Sequence, residues 1–270
     1  MIDLKQGPVL MGIVNVTPDS FSDGGNFLAP EKAVAQGLKL YREGAEILDI
    51  GGESTRPGAQ KVSPEEELSR VLPVIEGLKD CGALLSVDTR NAGTMKAALA
   101  AGAGMVNDVS ALTHDPAALD VVAEHEAFVC LMHMKGTPEH MQEAPAYKDV
   151  VQEVYDYLAG RIEICLTAGI ARNRIVIDPG IGFGKTLEHN LKLLKNINKF
   201  QGLGAAVMLG ASRKSFIEKL IPKTPVEERL AGSLTAALWG LRQGVQVFRV
   251  HDVAQTRQAF TVFQVISAKD

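Results

Sequence analysis

Five cationic side chains stand in polar segments of the sequence, and their chemistry suits the binding of phosphate oxygens. Guanidinium groups bind phosphate with two parallel hydrogen bonds, and ammonium and imidazolium groups bind it as charged donors. The set consists of Arg56, Arg213, Lys214, Arg249 and His251. If the fold brings these groups together, they predict a site for a phosphorylated anion.

A second set of polar residues is acidic or neutral and consists of Asp88, Asn107 and Asp178. A carboxylate accepts hydrogen bonds from two adjacent N–H groups, such as those on one edge of a nitrogen heterocycle. A buried carboxylate without a partner is costly. We therefore expect Asp88 and Asp178 either to bind such a ligand or to pair with Arg or Lys across the fold. The two interpretations are compatible in the unliganded protein.

The elements that must position these residues alternate regularly along the chain. Short apolar runs without in-out alternation are typical of strands that are buried on both faces of a parallel sheet. The predicted strands are residues 9–14, 47–50, 84–87, 105–106, 128–132, 175–177, 205–209 and 245–250. Polar residues follow every one of these runs.

Longer amphipathic segments lie between the runs and predict helices. One begins with a capping-box pattern, in which Ser63 is the N-cap, Pro64 the first helical residue and Glu66 the reciprocal partner. The predicted helices are residues 30–44, 64–79, 91–101, 116–124, 147–168, 188–198, 227–242 and 253–266.

Eight strand–helix units predict an α/β fold, a single (β/α)8 TIM barrel that forms one domain over residues 1–270. A doubly wound open sheet is the alternative fold. It explains the alternation but not the polar residues after every strand. In a barrel the carboxyl ends of all strands meet on one face, where the loops build the active site.

Composition excludes several classes of function. Lys and Arg number 28 and Asp and Glu number 32, which gives a net charge of −4 and argues against a nucleic-acid binder. No apolar run approaches the roughly 20 residues of a membrane span, and the first residues do not resemble a secretory signal. The 3 cysteines form no CxxC pair, so we expect neither zinc nor disulfides but a cytoplasmic location.

Residues 180–186, with the sequence GIGFGKT, resemble a phosphate-binding loop, but the pattern is incomplete. Pro179 stands where the first glycine of a Walker motif belongs, and Lys185 replaces the third glycine of a dinucleotide-binding motif. We therefore assign no phosphate-binding role to this segment. His133 follows a strand and is given no role beyond lining the barrel mouth.

Five segments together resemble the dihydropteroate synthase family. The segments at 15–25 (NVTPDSFSDGG) and 51–58 (GGESTRPG) resemble its two signature loops, and those at 178–186, 212–215 and 249–252 resemble its later motifs. The resemblance covers nearly the whole chain. Corrinoid methyltransferases share the pterin-binding barrel, but are not expected to carry the last two motifs together.

The resemblance implies a transferase of folate biosynthesis. It would join p-aminobenzoate to 6-hydroxymethyl-7,8-dihydropterin pyrophosphate and release pyrophosphate, with Mg²⁺ as cofactor and a homodimer as the usual assembly. Sulfonamides would compete by imitating p-aminobenzoate. Neither nucleic acid nor membrane is an expected partner.

The resemblance also implies roles for individual residues. Catalysis is assigned to Asn15, Asp88, Lys214, Arg249 and His251. The metal site is assigned to Asn15 and Asp23. The pterin site is assigned to Asp88, Asn107, Asp178 and Lys214, and the pyrophosphate site to Thr55, Arg56, Arg249 and His251. The p-aminobenzoate site is assigned to Phe21, Pro57 and Phe183 as walls, with Ser212 or a nearby backbone N–H as donor.

Met132 and the last two helices each have two interpretations. Met132 either contacts the pterin face or packs in the core, and the helices either seal the barrel or form the dimer contact. We favour a dissociative reaction, in which pyrophosphate leaves before the amine attacks. Two other functions are a methyl-folate-binding domain that serves a corrinoid protein, and a ligand-binding paralogue without turnover.

Overall fold

The chain forms a closed barrel of parallel strands in the computed structural model, which describes residue 4 and residues 7–16, 29–53, 62–137 and 140–268. The strands are β1 Val9–Asn15, β2 Ile47–Gly51, β3 Leu84–Asp88, β4 Met105–Asp108, β5 Phe128–Met132, β6 Ile175–Asp178, β7 Ala206–Leu209 and β8 Val247–Val250. Each strand pairs with the next, and β8 closes the barrel by pairing with β1. The predicted TIM barrel is confirmed, and the closed sheet excludes the doubly wound alternative.

Helices follow the strands as the amphipathic segments predict. They are α1 Ala29–Arg42, α2 Pro64–Leu78, α3 Ala92–Ala100, α4 Ala118–Glu124, α5 Val150–Thr167, α6 Leu187–Lys195, α7 Ser215–Leu220, α8 Leu230–Arg242 and α9 Val253–Ser267. Helix α7 was not predicted, because 6 residues are too few to show a helical period.

Of the two hydrogen bonds in the predicted capping box of α2, one is confirmed. The Ser63 hydroxyl accepts a hydrogen bond from the Glu66 backbone N–H at 3.2 Å. The Glu66 carboxylate pairs with Arg70 one turn later instead of reaching back to Ser63. The predicted capping box is therefore wrong in its second half, because the carboxylate binds the guanidinium.

The apolar core has two parts. The larger part lies between the outer face of the barrel and the helices, and Leu48, Val71 and Phe248 are among its buried members. The smaller part fills the amino-terminal half of the barrel interior, where Leu4 packs below side chains from the strands. The interior members are Val9, Met11, Ile47, Met105, Cys130, Val176, Ala206, Met208 and Val247. This packing leaves the carboxyl ends of the strands to form the mouth.

Among the residues that the structure describes, no helix has both the length and the apolar character needed to cross a membrane.

Candidate active site at the carboxyl ends of the strands

The strand register brings polar residues to one level of the barrel. Asn15 at the end of β1 is in register with Gly51, which is in register with Asp88, and Asp88 is in register with Asn107. Further around the barrel, Met132 at the end of β5 is in register with Asp178. Residues that are far apart in the sequence therefore surround one mouth.

A buried ionic network lies at this level and one pleat below it. Arg249 donates through Nε to Asp49 Oδ2 at 2.6 Å and through Nη2 to Asp88 Oδ2 at 2.7 Å. Asp49 also accepts hydrogen bonds from the Ser86 hydroxyl at 2.7 Å and from the Asn107 amide at 2.9 Å. The expected pairing of Asp88 with a cation across the barrel is confirmed, and its partner is Arg249.

Burial and neighbouring charges shift the acid–base properties of this network. Burial, together with the nearby carboxylates of Asp49 and Glu67, raises the pKa of Asp88 to about 7 against the opposing charge of Arg249. Burial alone would lower the pKa of Arg249, but Asp49 and Asp88 outweigh burial and raise it. The guanidinium therefore stays charged, whereas Asp88 can take up a proton near neutral pH.

Asp178 and Lys214 form the adjacent part of the site. Asp178 is 2% exposed, and its Oδ1 accepts a hydrogen bond from the Gly180 N–H at 2.7 Å. Burial raises the pKa of Asp178, and the Lys214 ammonium opposes that shift. Burial lowers the pKa of Lys214 to about 8 in spite of the Asp178 charge. The Lys214 Nζ donates to the Ile181 carbonyl at 2.5 Å.

The two parts of the site meet at Gly210, which directly follows β7. A Cβ atom built on Gly210 would lie 3.4 Å from Asp178 Oδ2, 3.7 Å from Lys214 Nζ and 3.9 Å from Arg249 Cβ. The Asp178 carboxylate and the Lys214 ammonium therefore border the same small volume, and the Arg249 side chain passes beside it through its Cβ. Such an arrangement can bind a ligand that carries both N–H donors and a negative charge.

Ser212 and His251 are in contact on the β7–β8 side of the mouth. The Ser212 Oγ lies 3.0 Å from His251 Nδ1, and the His251 backbone N–H donates to the same oxygen at 3.3 Å. Arg213 differs from the other cations of the predicted set, because both ends of its guanidinium bind Asp252. Its charge is therefore already matched by a carboxylate of the protein.

The remaining predicted residues fall into two groups. Phe183 lies beside the mouth with its ring centroid 4.6 Å from Lys214 Nζ, and Met132 is buried at 3% exposure next to Asp178. The predictions for Phe21, Asp23, Thr55, Arg56 and Pro57 lie outside the described residues.

Two buried carboxylates in or beside the site were missed from the sequence. Asp49 lies inside the apolar run of β2 and is 0% exposed. Glu67 lies on the buried face of α2, and its Oε2 accepts hydrogen bonds from Thr89, Asn91 and Thr94 at 2.7–2.9 Å. Two signals could have found them. Asp49 is an acidic residue inside an apolar strand run, and Glu67 stands four residues before Val71, on the apolar stripe of α2.

The geometry agrees with what comparisons with known proteins show. Residues 11–251 match the family described as pterin binding enzyme. The dihydropteroate synthase of Haemophilus influenzae is 46% identical over 260 residues, which cover 95% of this chain and 93% of that protein.

Two solved structures are similar along almost the whole chain. A Xanthomonas albilineans dihydropteroate synthase with 4-aminobenzoic acid superposes with a TM-score of 0.92 at 51% identity, covering 98% of this chain and 94% of that one. A Yersinia pestis dihydropteroate synthase in a sulfonamide drug complex has a TM-score of 0.92 at 42% identity, covering 98% and 96%.

A match of this extent means that the chain belongs to the pterin-binding enzymes. Within them it groups with the dihydropteroate synthases, which are transferases, and the family predicted from the five motifs is confirmed.

Proposed function

We propose that this chain condenses 6-hydroxymethyl-7,8-dihydropterin pyrophosphate with p-aminobenzoate, and that pyrophosphate leaves before the amine attacks. The observation that carries the proposal is the convergence of Asp178, Lys214 and Arg249 around Gly210. The relatives support it, because one was solved with 4-aminobenzoic acid and another in a complex with a sulfonamide drug. Sulfonamides are accordingly proposed as competitors of p-aminobenzoate.

The pterin ring would be held by Asp88, Asn107, Asp178 and Lys214. Asp178 Oδ1 is engaged by the Gly180 N–H, whereas Oδ2 faces the volume at Gly210. A ring edge with adjacent N–H donors would give this buried carboxylate the partners that water otherwise supplies. Met132, next to Asp178 in the register, would contact the ring face.

The pyrophosphate would be bound by Arg249 and His251, with Thr55 and Arg56 joining from the second signature loop. Donors that are already fixed in place stabilise the charge that grows on departing oxygens without further reorganisation. Arg249 is fixed in this way by Asp49 and Asp88.

Asn15 fits a magnesium site. Mg²⁺ prefers oxygen ligands and keeps several waters, so one or two protein oxygens are enough. Asn15 ends β1 at the level of the mouth, and no described residue hydrogen-bonds to its side chain. Asn15, with Asp23, would hold the ion, which when bound would neutralise part of the pyrophosphate charge.

In the proposed order of steps, the bond between the pterin methylene carbon and the pyrophosphate oxygen breaks first. Both bonding electrons leave with the oxygen, and the electron-rich ring shares the positive charge. The lone pair of the aromatic amine then forms the C–N bond, and the amine loses one proton. A neutral aromatic amine needs no strong base, and Phe21, Pro57, Phe183 and Ser212 would hold its benzoate part.

The assembly and the location are also proposed. Helix α9 exposes Val262, Val265 and Ile266 at 57–74%, and α8 exposes Trp239 at 38%, which supports a homodimer through these helices over a purely barrel-sealing role. A cytoplasmic location is supported by the free cysteines Cys81, Cys130 and Cys165, which suit a reducing compartment.

A pyrophosphate-release assay tests the function. Release with p-aminobenzoate is expected, together with the formation of dihydropteroate. A methyl-folate-binding domain would bind reduced folates and show no dependence on p-aminobenzoate, and a paralogue without turnover would bind ligand and release nothing. Either result would contradict the proposal.

The order of steps has its own test, which uses benzoate in place of p-aminobenzoate. Benzoate can fill the site but has no amine to attack. If pyrophosphate leaves first, release continues with benzoate, and water converts the pterin to its hydroxymethyl form. Strict dependence of release on a reactive amine would instead indicate direct displacement.

A further inference from the structure

Lys185 is a buried cation of the GIGFGKT segment that the mechanism above does not use. Its side chain is 1% exposed and lies between the ends of β5 and β6. The Nζ is 3.0 Å from His133 Nδ1, 3.2 Å from the His133 carbonyl and 2.9 Å from the Phe183 carbonyl. An ammonium has three hydrogens, so these three acceptors use all its donors and leave none for a phosphate.

We propose that Lys185 is a positioning residue for the p-aminobenzoate subsite. It ties the turn that carries Phe183 to the end of β5, and thereby holds the Phe183 ring beside Lys214. The inference rests on the proposed function, because that function makes Phe183 a wall of the subsite. It adds a role for Lys185 and for His133, neither of which contacts the proposed substrates.

The backbone around Lys185 is pressed against the segment that follows β5. Gly180 and Gly184 have positive φ angles of 72° and 60°. A Cβ on Gly180 would lie 2.0 Å from the His133 carbonyl oxygen, and one on Gly184 would lie 2.3 Å from the Lys135 carbonyl oxygen. The turn therefore packs tightly against the segment after β5, and a side chain that binds both segments can fix their relative position.

Other contacts hold the ends of the same turn. The Gln142 amide donates to the Gly182 carbonyl at 2.7 Å, and the Tyr147 hydroxyl donates to the Gly184 carbonyl at 2.8 Å. None of the hydrogen bonds described involves the Phe183 carbonyl except the one from Lys185. Lys185 is thus the residue that binds the backbone of Phe183 directly, and the Phe183 ring lies beside the mouth.

The His133 ring is held as an acceptor for this tie. It packs edge-on against Tyr157 at a centroid distance of 5.0 Å and lies 6.1 Å from Tyr147. Burial, with Lys185 nearby, lowers the pKa of His133 to about 3, so the ring is neutral and Nδ1 can accept. Burial also lowers the pKa of Lys185 to about 7, so assays at pH 6.5 keep most of it protonated.

The first test is a double-mutant cycle with Lys185→Met and Phe183→Ala at pH 6.5. Lys185→Met removes three donors while keeping an unbranched chain. We expect the KM for p-aminobenzoate to rise about 10-fold or more, because a small misplacement of a substrate wall is costly. We expect the KM for the pterin pyrophosphate to stay within about threefold. In the double variant, Lys185→Met should add little to the effect of Phe183→Ala, since the two act through one wall.

Phe200→Leu is the matched control. Phe200 is a fully buried residue in the short helical segment before β7, and its ring lies 6.2 Å from that of Tyr155 on α5. It should lower Tm without separating the two KM values. The proposal is overturned if Lys185→Met leaves the KM for p-aminobenzoate unchanged, raises both KM values equally, or is additive with Phe183→Ala.

A second pair of variants keeps the proposal testable if Lys185→Met does not fold. His133→Asn retains an acceptor near the Nδ1 position, whereas His133→Leu removes it. His133→Leu should raise the KM for p-aminobenzoate, and His133→Asn should restore most of the wild-type value. Equal KM values in the two variants would contradict the role of the Lys185–His133 contact.

Discussion

The barrel interior has an apolar lower layer and a polar upper layer, which meet within one pleat in β2, β4, β6 and β8. In β2 the inward-facing residue changes from Ile47 to Asp49, and in β8 it changes from Val247 to Arg249. The same step of two residues occurs from Met105 to Asn107 in β4 and from Val176 to Asp178 in β6. Because strand side chains alternate, two residues separate neighbouring positions on one face.

The two layers differ in what burial does to them. In the lower layer, burial removes apolar surface from water and stabilises the fold. In the upper layer, burial raises the pKa values of Asp88 and Asp178 and lowers that of Lys214, so it opposes the charged forms that the proposed function requires. The lower layer therefore holds the upper one in place, and under the proposed function the substrate would complete the partners of its charges.

The largest effect is expected where the upper layer loses its shared cation. Arg249→Met leaves the buried carboxylates of Asp49 and Asp88 without a counter-charge, which should cost about 3 kcal/mol or more of the free energy of unfolding. The turnover number should fall about 10³-fold, because the donor for the leaving group is lost. Urea unfolding and the pyrophosphate assay measure the two effects.

Val247→Ala, two residues earlier in β8, is the lower-layer control. It should cost about 2 kcal/mol of stability through lost burial and a cavity, and leave turnover close to that of the wild type. If both variants lose activity to the same extent, the division between layers is not functional.

The next effect concerns Glu67, which extends the polar layer outward to α2. Glu67→Ala leaves three hydrogen-bond donors, two of them buried, without an acceptor, and we expect a loss of about 3 kcal/mol in the free energy of unfolding. Glu67→Gln should cost less than about 1 kcal/mol. Its amide oxygen can replace Oε2, and its NH₂ can take the place of Oε1, a buried atom with no partner among the described residues. Chemical denaturation measures the free energy of unfolding of both variants. Equal losses in Glu67→Ala and Glu67→Gln would contradict the role of Glu67 as an acceptor for the three donors.

A smaller effect is expected for Asp178→Asn, which keeps the size of the side chain but removes its charge. Pterin binding should weaken by about 2 kcal/mol, because a charge-assisted pair of hydrogen bonds is lost. Calorimetric titration with a pterin measures this change. Unchanged affinity would remove Asp178 from the pterin site.

A further prediction is a pH dependence that only the upper layer should show. The pKa of Asp88 is raised from an ordinary value near 4 to about 7 in the folded protein. The folded state therefore binds a proton that the unfolded state has released, and stability from this group is lost as the pH rises from about 4 to about 7. The Tm of the wild type, relative to that of Asp88→Asn, should fall over this range.

Val247→Ala again gives the comparison, since its Tm difference from the wild type should not change with pH. A Tm difference for Asp88→Asn that is constant between pH 4 and pH 7 would contradict the raised pKa.

Sequence patterns predict the lower layer better than the upper one. Apolar runs identify the strands because both faces of a barrel strand are buried. The weak run at 105–106 is a longer strand, because its polar end, Asn107 and Asp108, continues the sheet. A carboxylate such as Asp49 is not visible in such a run, since the pattern does not show which residues point inward.

The partners within the upper layer lie beyond the range of local patterns. Arg249 and Asp49 are 200 residues apart in the sequence and meet only when the barrel closes. For the same reason Arg213 resembled a phosphate-binding residue, although it pairs with Asp252 from the loop after the next strand. The family motifs therefore predict which residues belong to the site, whereas the contacts between those residues are known only from the fold.

The most direct test of the two-layer account is a crystal structure of the protein with the pterin pyrophosphate bound. We predict the N–H edge of the ring at about 3 Å from Asp178 Oδ2, with the pyrophosphate reaching Arg249 and His251. A ligand bound away from the barrel mouth, or an Arg249 that contacts only Asp49 and Asp88, would contradict the account.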